Sequence, residues 1–577
     1  MMFAGTGMFS MRFFLSILCV CMVLPSCARQ GFRPSIYTST VLTAPLQQSL
    51  PQADVYYNYL AAQSQLRDNQ LDNAAESYQQ ALRKDPASPM LLTEYAALCI
   101  RQGKVDLALK NAEDAVRIDP RYLPAHLLLG QLYAGLGQGS KAVEAYKRVI
   151  EAKPDGEDAY LLLGTLYAQM GQFAEAMEVF DKLRRMHPDN PMVLYYKARI
   201  FLDMKFYKQA ESMYRDVLSM DPLFENALLD LAYIYEVTDR MREAEKTYLR
   251  IISFNPGSVQ AHNRLGNLYM REGKSERALG QFGELIALNR RDPESRLKIG
   301  IIHLQQKNYD AAIQDLSDLL KEEPQLDQAL FYLGTAYEEK GDLGQAVVNY
   351  RLIPRNSPLW SAAQIRLAMA FTKMKDYRSG IETIQGAIAN FPDTQELYLY
   401  LAVIYEEDKR YPEAMSAIEK GLEKSPADVD LLFRKGVLFD KMDRKYEAID
   451  VMERVLQIDP KNANALNYIG YTYAEIGTHL QKARQMVKKA LDLEPEDGYI
   501  MDSMAWVYFK MGQNRKALEI ILEALKRVPH DPVIHEHLGD IYMSLGKREK
   551  AIEAYQKAIE MQHTEPERIE EKLRAIQ

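Results

Sequence analysis

The chain has 577 residues, 47% of them apolar and 26% charged, with a formal net charge of −8. That composition is ordinary for a folded soluble protein, and its mild acidity repels phosphate backbones, so nucleic acid is not an expected partner. Length alone suggests roughly four domains of about 150 residues each, a prior that fails if the chain is periodic.

The N-terminus reads as an address. Arg12 precedes an apolar run over residues 13–24 (FFLSILCVCMVL), the layout of a secretory signal. The run falls well short of the ~20 residues that cross a bilayer as a helix. It ends in Leu24-Pro25-Ser26-Cys27, a tetrad that resembles the lipobox of bacterial lipoproteins. The resemblance implies that residues 1–26 are removed and that the Cys27 thiol carries acyl chains such as palmitate. Each buried CH2 of those chains contributes about 0.8 kcal/mol of membrane affinity. Ala28 is not the aspartate that retains such proteins at the inner membrane, so the resemblance further implies an outer-membrane anchor facing the periplasm. The alternative is an ordinary signal peptide cut elsewhere, with Cys27 incidental. Residues 27–54 are rich in Pro, Ser, Thr and Gln and lack helical periodicity. They read as a tether or as a partly docked extended segment. Cys19, Cys21 and Cys27 all lie in this N-terminal part, and the single remaining thiol, Cys99, excludes a disulfide framework.

From residue 55 a pattern of 34 residues returns fifteen times, to residue 565, with one extra residue near 478–481. Position 8 is Gly or Ala in every copy, from Ala62 and Ala96 to Ala505 and Gly539. Position 20 is Ala except at Gly380, and position 32 is Pro except at Arg290 and His563. The small residues predict two helices per repeat in close approach. Aromatics at position 11, such as Tyr133 and Tyr235, and at position 24, such as Tyr78 and Tyr146, are expected to fill the space between successive repeats. Proline at 32 ends the second helix, and Gly103, Gly137, Gly171, Gly273 and Gly341 at position 15 suit the turn between helices. Each pair has an apolar face that only stacking can bury. Ile569, Leu573 and Ile576 have helical spacing, so residues 566–577 read as a capping helix. This pattern resembles the tetratricopeptide repeat over about nine-tenths of the chain. The resemblance implies an all-α, right-handed superhelical solenoid of about fifteen helix-turn-helix repeats.

In that family the first helix of each repeat lines the concave face, with positions 2, 5, 9, 12 and 13 turned into it. The resemblance therefore places Tyr56, Tyr59, Tyr195, Arg199, Tyr233, Asn263, Asn267, Phe331, Phe433, Tyr471, Asp502, Trp506 and Phe509 on the face that would hold a protein partner, beside acids such as Glu338 and Glu406. Aromatics there offer large contact area at low entropy cost, although some could simply pack on a neighbouring helix. The carboxylate clamp of chaperone-binding members is not matched: Asn263 and Asn267 are followed by Glu294 and Lys298.

Chemistry is not expected. His535 and His537 stand two apart on a helix and diverge, no HExxH or cysteine pair suggests zinc, and no glycine-rich phosphate loop occurs. Acid pairs such as Glu406 and Glu407 read as solvated charges. No catalytic residue, metal, cofactor or small-molecule substrate is anticipated, and the register leaves no room for a catalytic domain. The stretches NALNYIGYTYAEIG (464–477), DSMAWVYFKMG (502–512) and HEHLGDIYMSLG (535–546) resemble a group of bacterial tetratricopeptide lipoproteins. Members of that group bring periplasmic C-terminal-processing proteases to cell-wall hydrolases. The implied role is a lipid-anchored adaptor, with assembly of a polysaccharide-export or pilus machine as the alternative.

Overall fold

The computed structural model describes residues 51–289 and 292–576. The signal segment, Cys27 and most of the expected tether lie outside the described residues. The first helix, Pro51–Arg67, begins four residues ahead of residue 55, with proline at its first position, where its missing N–H has no helical acceptor to lose.

Among the described residues there are thirty-one helices and no strand. They come as fifteen hairpins and one final helix. In most repeats the first helix spans thirteen residues and the second fourteen, as in Pro89–Arg101 and Val105–Ile118. The described residues form two compact units, the first ending at Leu268 and the second beginning at Tyr269. Within each, the main helix contacts join consecutive helices, and the first helices of adjacent repeats also touch.

One geometric device makes every hairpin. Position 15 adopts a left-handed backbone in all fifteen repeats, from Asn69 (φ 57°) to Gly546 (φ 69°). Glycine was expected to mark this turn. It occupies eight of the fifteen; Asn69, Lys205, Asp239, Lys307, Lys375, Lys409 and Asp443 adopt the same conformation. The turn is therefore imposed by packing of the two helices, because an L-residue left-handed backbone costs roughly 1–2 kcal/mol.

The small residue at position 8 faces position 24 of its own repeat. A Cβ added to Gly130 would lie 2.3 Å from the Tyr146 ring, and one on Gly539 would lie 2.4 Å from that of Tyr555. Rings at position 24 thus fill the space inside a hairpin and, as expected, also meet the next repeat: Tyr78 lies 6.3 Å from Tyr95, and Phe180 stacks on Tyr196 at 5.6 Å. Tyr78, Tyr146, Tyr214, Tyr248, Tyr350 and Tyr555 are nearly inaccessible.

Two local departures have clear causes. The extra residue lies between Ala463–Ile476 and Leu480–Leu493, where Gly477 and His479 both take positive φ. In repeat nine the second helix, Leu343–Leu352, has only ten residues. Pro354 cannot join a helix and excludes helix from the residue before it, so Ile353 is extended. The periodic reading had run through this break.

Repeats are also tied through proline. His126, His262 and His535 at position 4 donate from Nε2 to the carbonyls of Pro120, Pro256 and Pro529 at 2.9, 3.0 and 3.1 Å. Tyr160 and Tyr398 do the same toward Pro154 and Pro392. The final helix, Pro566–Ile576, packs Ile569 and Ile576 against Ala551 and Tyr555.

Candidate protein-binding face

The thirteen residues placed on the first-helix face differ widely in exposure. In the first unit Tyr56 is exposed, whereas Tyr59 is half-buried edge-on against Tyr78 at 6.3 Å. Tyr195 is buried among Tyr196, Tyr214 and Phe224. It is a packing residue and offers no surface, contrary to its expected exposure. Arg199 is exposed and reaches Tyr195 Oη at 3.3 Å and the Asp230 carboxylate at 3.8 Å. Tyr214 donates to the same Asp230 at 2.9 Å. Burial pushes the Asp230 carboxyl up despite Arg199 beside it. Tyr233 lies beneath the Arg264 guanidinium, 5.6 Å from its ring centre. Asn267 donates its Nδ2 to Asn263 Oδ1 at 2.9 Å.

In the second unit Phe331 packs on Tyr332 and Tyr350. Lys298 is paired with Glu294 at 2.6 Å. Glu406 is not the solvated acid the sequence suggested, and Glu338 sits in the same kind of setting. The side chains of Glu338 and Glu406 are only 2% and 6% exposed, and each is held by two cations of the next repeat. Glu338 meets Arg366 and Lys373 at 3.4 and 2.7 Å, and Glu406 meets Arg434 and Lys441 at 3.1 and 2.9 Å. The spacing is identical in the two clamps, 28 and 35 residues from acid to cations. Both cations lie on the next first helix, seven residues apart and so on one side.

The remaining residues converge near the C-terminal end of the second unit. The first helices of repeats twelve to fifteen are Val429–Lys441, Ala463–Ile476, Gly498–Lys510 and Pro532–Ser544. Together they line an open-sided hollow of about 260 Å³ bounded by Phe433, Asn467, Tyr468, Tyr471, Tyr499 and Asp502, among others. Phe433, Tyr471 and Asp502 were named from sequence; Asn467, Tyr468 and Tyr499 were not. Tyr468 occupies position 6, which lies outside the set the resemblance implied.

Asp502 and Trp506 are 7% and 6% exposed. Both carboxylate oxygens of Asp502 lie 3.0 Å from His537 Nδ1. The Trp506 ring is stacked between His537 at 4.0 Å and Phe509 at 4.9 Å, and its Nε1 donates to Glu475. Trp506 is therefore a packing residue and is not itself exposed contact surface. Burial pushes His537 toward its neutral form, but Asp502, Glu536 and Asp540 outweigh it and raise its pKa above the usual value. Tyr471 is pushed up first by burial and then by Glu475, Asp502 and Glu536. Behind the hollow, Glu536 binds Arg568 and Lys572 of the final helix, each at 2.7 Å. Burial raises its carboxyl, but these cations and His537 bring it below the ordinary value.

A larger hollow of about 530 Å³ lies at the loops of repeats five to seven, beside Asp221, Phe224 and Glu225. Its polar groups serve one another: Asn255 and Ser258 donate to Glu225 at 2.7 and 2.5 Å. Among the described residues no group of three metal-capable side chains occurs, and no helix is long and apolar enough to cross a membrane.

Tetratricopeptide-repeat profiles match residues 59–122, 195–259, 263–327, 308–358, 365–429 and 503–566, and two further profiles of the same repeat match 100–156, 136–200 and 429–462. A TPR repeat-containing protein of Pseudomonas aeruginosa, PA4667, is 44% identical over 52 residues, which span 9% of each chain. Among solved structures, Naa15/Naa10 bound to HypK-THB aligns over 90% of this chain and 96% of its own at 14% identity and a TM-score of 0.36. The Cut9–Hcn1 hetero-tetramer of the APC/C aligns over 79% of this chain and 98% of its own at 14% identity and a TM-score of 0.33.

Proposed function

Because this chain belongs to the tetratricopeptide-repeat family, whose repeats build protein–protein interaction scaffolds, we propose that it is a lipid-anchored adaptor working on the periplasmic side of the outer membrane. In this reading acyl chains on Cys27 hold the protein at the membrane. The first-helix face captures a C-terminal-processing protease, its cell-wall hydrolase substrate, or both. The observation that carries the binding role is the hollow across repeats twelve to fifteen, where four successive first helices contribute aromatic and polar side chains to one open site. The Leu24-Pro25-Ser26-Cys27 tetrad supports the anchor, and the three stretches between residues 464 and 546 support the adaptor role.

Two experiments test the parts separately. Cells fed labelled palmitate should label the wild-type chain and not the Cys27→Ala variant; label that persists in the variant would remove the anchor. In-cell cross-linking followed by affinity capture should recover a periplasmic protease or hydrolase. Loss of surface polymer in a deletion strain, with protease substrates unchanged, would move the reading to assembly of an export machine.

A further inference from the structure

The hollow across repeats twelve to fifteen has walls suited to one class of occupant. Phe433, Tyr468, Tyr471 and Tyr499 supply aromatic surface around Asn467 and Asp502. Asn467 Oδ1 is buried and accepts no hydrogen bond from the chain. A buried acceptor in that state is satisfied only when a donor arrives. None of the lining residues is Lys or Arg, and the cations nearby are already engaged. Arg434 and Lys441 hold Glu406, Arg568 and Lys572 hold Glu536, and His537 is engaged by Asp502. Meanwhile Asp440 acts on Tyr468, and Glu475 and Asp502 act on Tyr471, each raising the phenol beside it after burial has done so. The local field is negative, the walls are aromatic, and the free polar atoms are Asn467 Oδ1, an acceptor, and Tyr468 Oη, which can accept as well as donate.

We propose that this hollow is a docking pocket for the cationic head of an arginine or lysine side chain carried on an extended segment of a protein partner. The inference rests on the interaction-scaffold reading and narrows it to a partner chemistry. A guanidinium or ammonium is attracted to the electron-rich faces of aromatic rings. Asn467 Oδ1 accepts one of its N–H groups. Asp502 faces His537 through both oxygens and shares its charge with the incoming cation, while Asp440 beside Tyr468 and Glu475 beside Tyr471 add theirs. A volume of about 260 Å³ admits one long side chain and excludes a folded surface. Arginine, planar and weakly hydrated, fits such walls better than lysine. An acidic tail is repelled.

The test is a selection of random twelve-residue peptides, displayed on phage, against the full chain. Selected peptides are then synthesised with each Arg replaced by citrulline and each Lys by norleucine. The expected result is a shared cation whose replacement weakens binding at least tenfold, with arginine outnumbering lysine. Asn467→Lys, which places a cation of the protein's own in the pocket, and Tyr499→Ala, at a partly exposed ring, should each weaken the same peptides about tenfold. Tyr446→Ala on a second helix, 62% exposed, should leave them unchanged, and far-ultraviolet circular dichroism confirms that all three fold. Peptides that bind without any required cation, or that bind Asn467→Lys and Tyr499→Ala as well as wild type, overturn the cation pocket while leaving the scaffold reading intact. Recovery of no peptide, with protein partners still captured by cross-linking, also overturns the pocket alone. Failure of both assays removes the scaffold reading with it.

Discussion

At the scale of single residues, the fifteen inter-helix turns show how much strain a repeat protein tolerates when geometry is set elsewhere. Lys205, Lys375 and Lys409 hold φ values of 58–61°, a region glycine enters without the Cβ penalty. Changing each to Gly is expected to stabilise its repeat by about 1 kcal/mol, less a few tenths for the added freedom of the unfolded chain. Urea midpoints of the single and triple variants check this. His537 carries a second residue-scale prediction. Its folded pKa lies above the ordinary 6.5. The stability it contributes is therefore fully present below about pH 6.5 and is lost as pH rises through the higher folded value. Asp502, Glu536 and Asp540 all favour the charged ring. Denaturation between pH 6 and pH 9 should show wild type losing its advantage over His537→Asn at the alkaline end. A constant difference across that range would mean that the imidazolium is not part of the folded cluster.

At the scale of elements, first helices are joined by charge as well as by apolar contact. Glu406 is buried and holds Arg434 and Lys441 of the next repeat. Removing only the cations leaves a buried, uncompensated carboxylate, a change that costs about 3–5 kcal/mol. Removing the whole group costs far less, because hydrophobic replacements of similar size pack without a desolvation penalty. Arg434→Met with Lys441→Met should thus lower stability by about 3 kcal/mol, and adding Glu406→Met should restore most of it. The comparison is made by urea denaturation of the three proteins. If the triple variant is no better than the double, the clamp owes its value to packing by the long side chains and not to charge. Pro354 teaches a related lesson about elements. It occupies a second-helix position, so repeat nine keeps the period of its neighbours while losing four residues of helix.

At the scale of the whole molecule, main contacts within each unit run to the next helix or the next first helix. Stability in such a stack is approximately a sum of repeat terms and nearest-neighbour interfaces. A lesion in one repeat should therefore spread only to those adjacent. Gly470→Val pushes a side chain into Val487, since even a Cβ there would lie 2.4 Å from it. Hydrogen exchange should show lost protection in repeats twelve to fourteen, with repeats two to five unchanged. Uniform loss across the chain would mean a single cooperative unit instead.

The 34-residue period, the helical hairpins, the small residue at position 8 and the proline stop were all readable in the sequence, because each follows from local sterics repeated many times. The place of the charges was not. Glu406 and Glu407 are adjacent acids in the chain, and only the arrival of Arg434 and Lys441 from the next repeat makes the first a buried clamp. The same holds for the candidate site. Phe433, Tyr471 and Asp502 carried a positional signal, as did Asn467 at position 5 and Tyr499 at position 2, which were not singled out, but Tyr468 at position 6 became part of the hollow only when four helices met. Tyr195 and Trp506 were drawn out of the exposed face by neighbours that cover them. Periodicity specifies which face of a helix is apolar; which side chain on that face stays open depends on residues about 20 to 35 positions away, and those contacts are decided by packing.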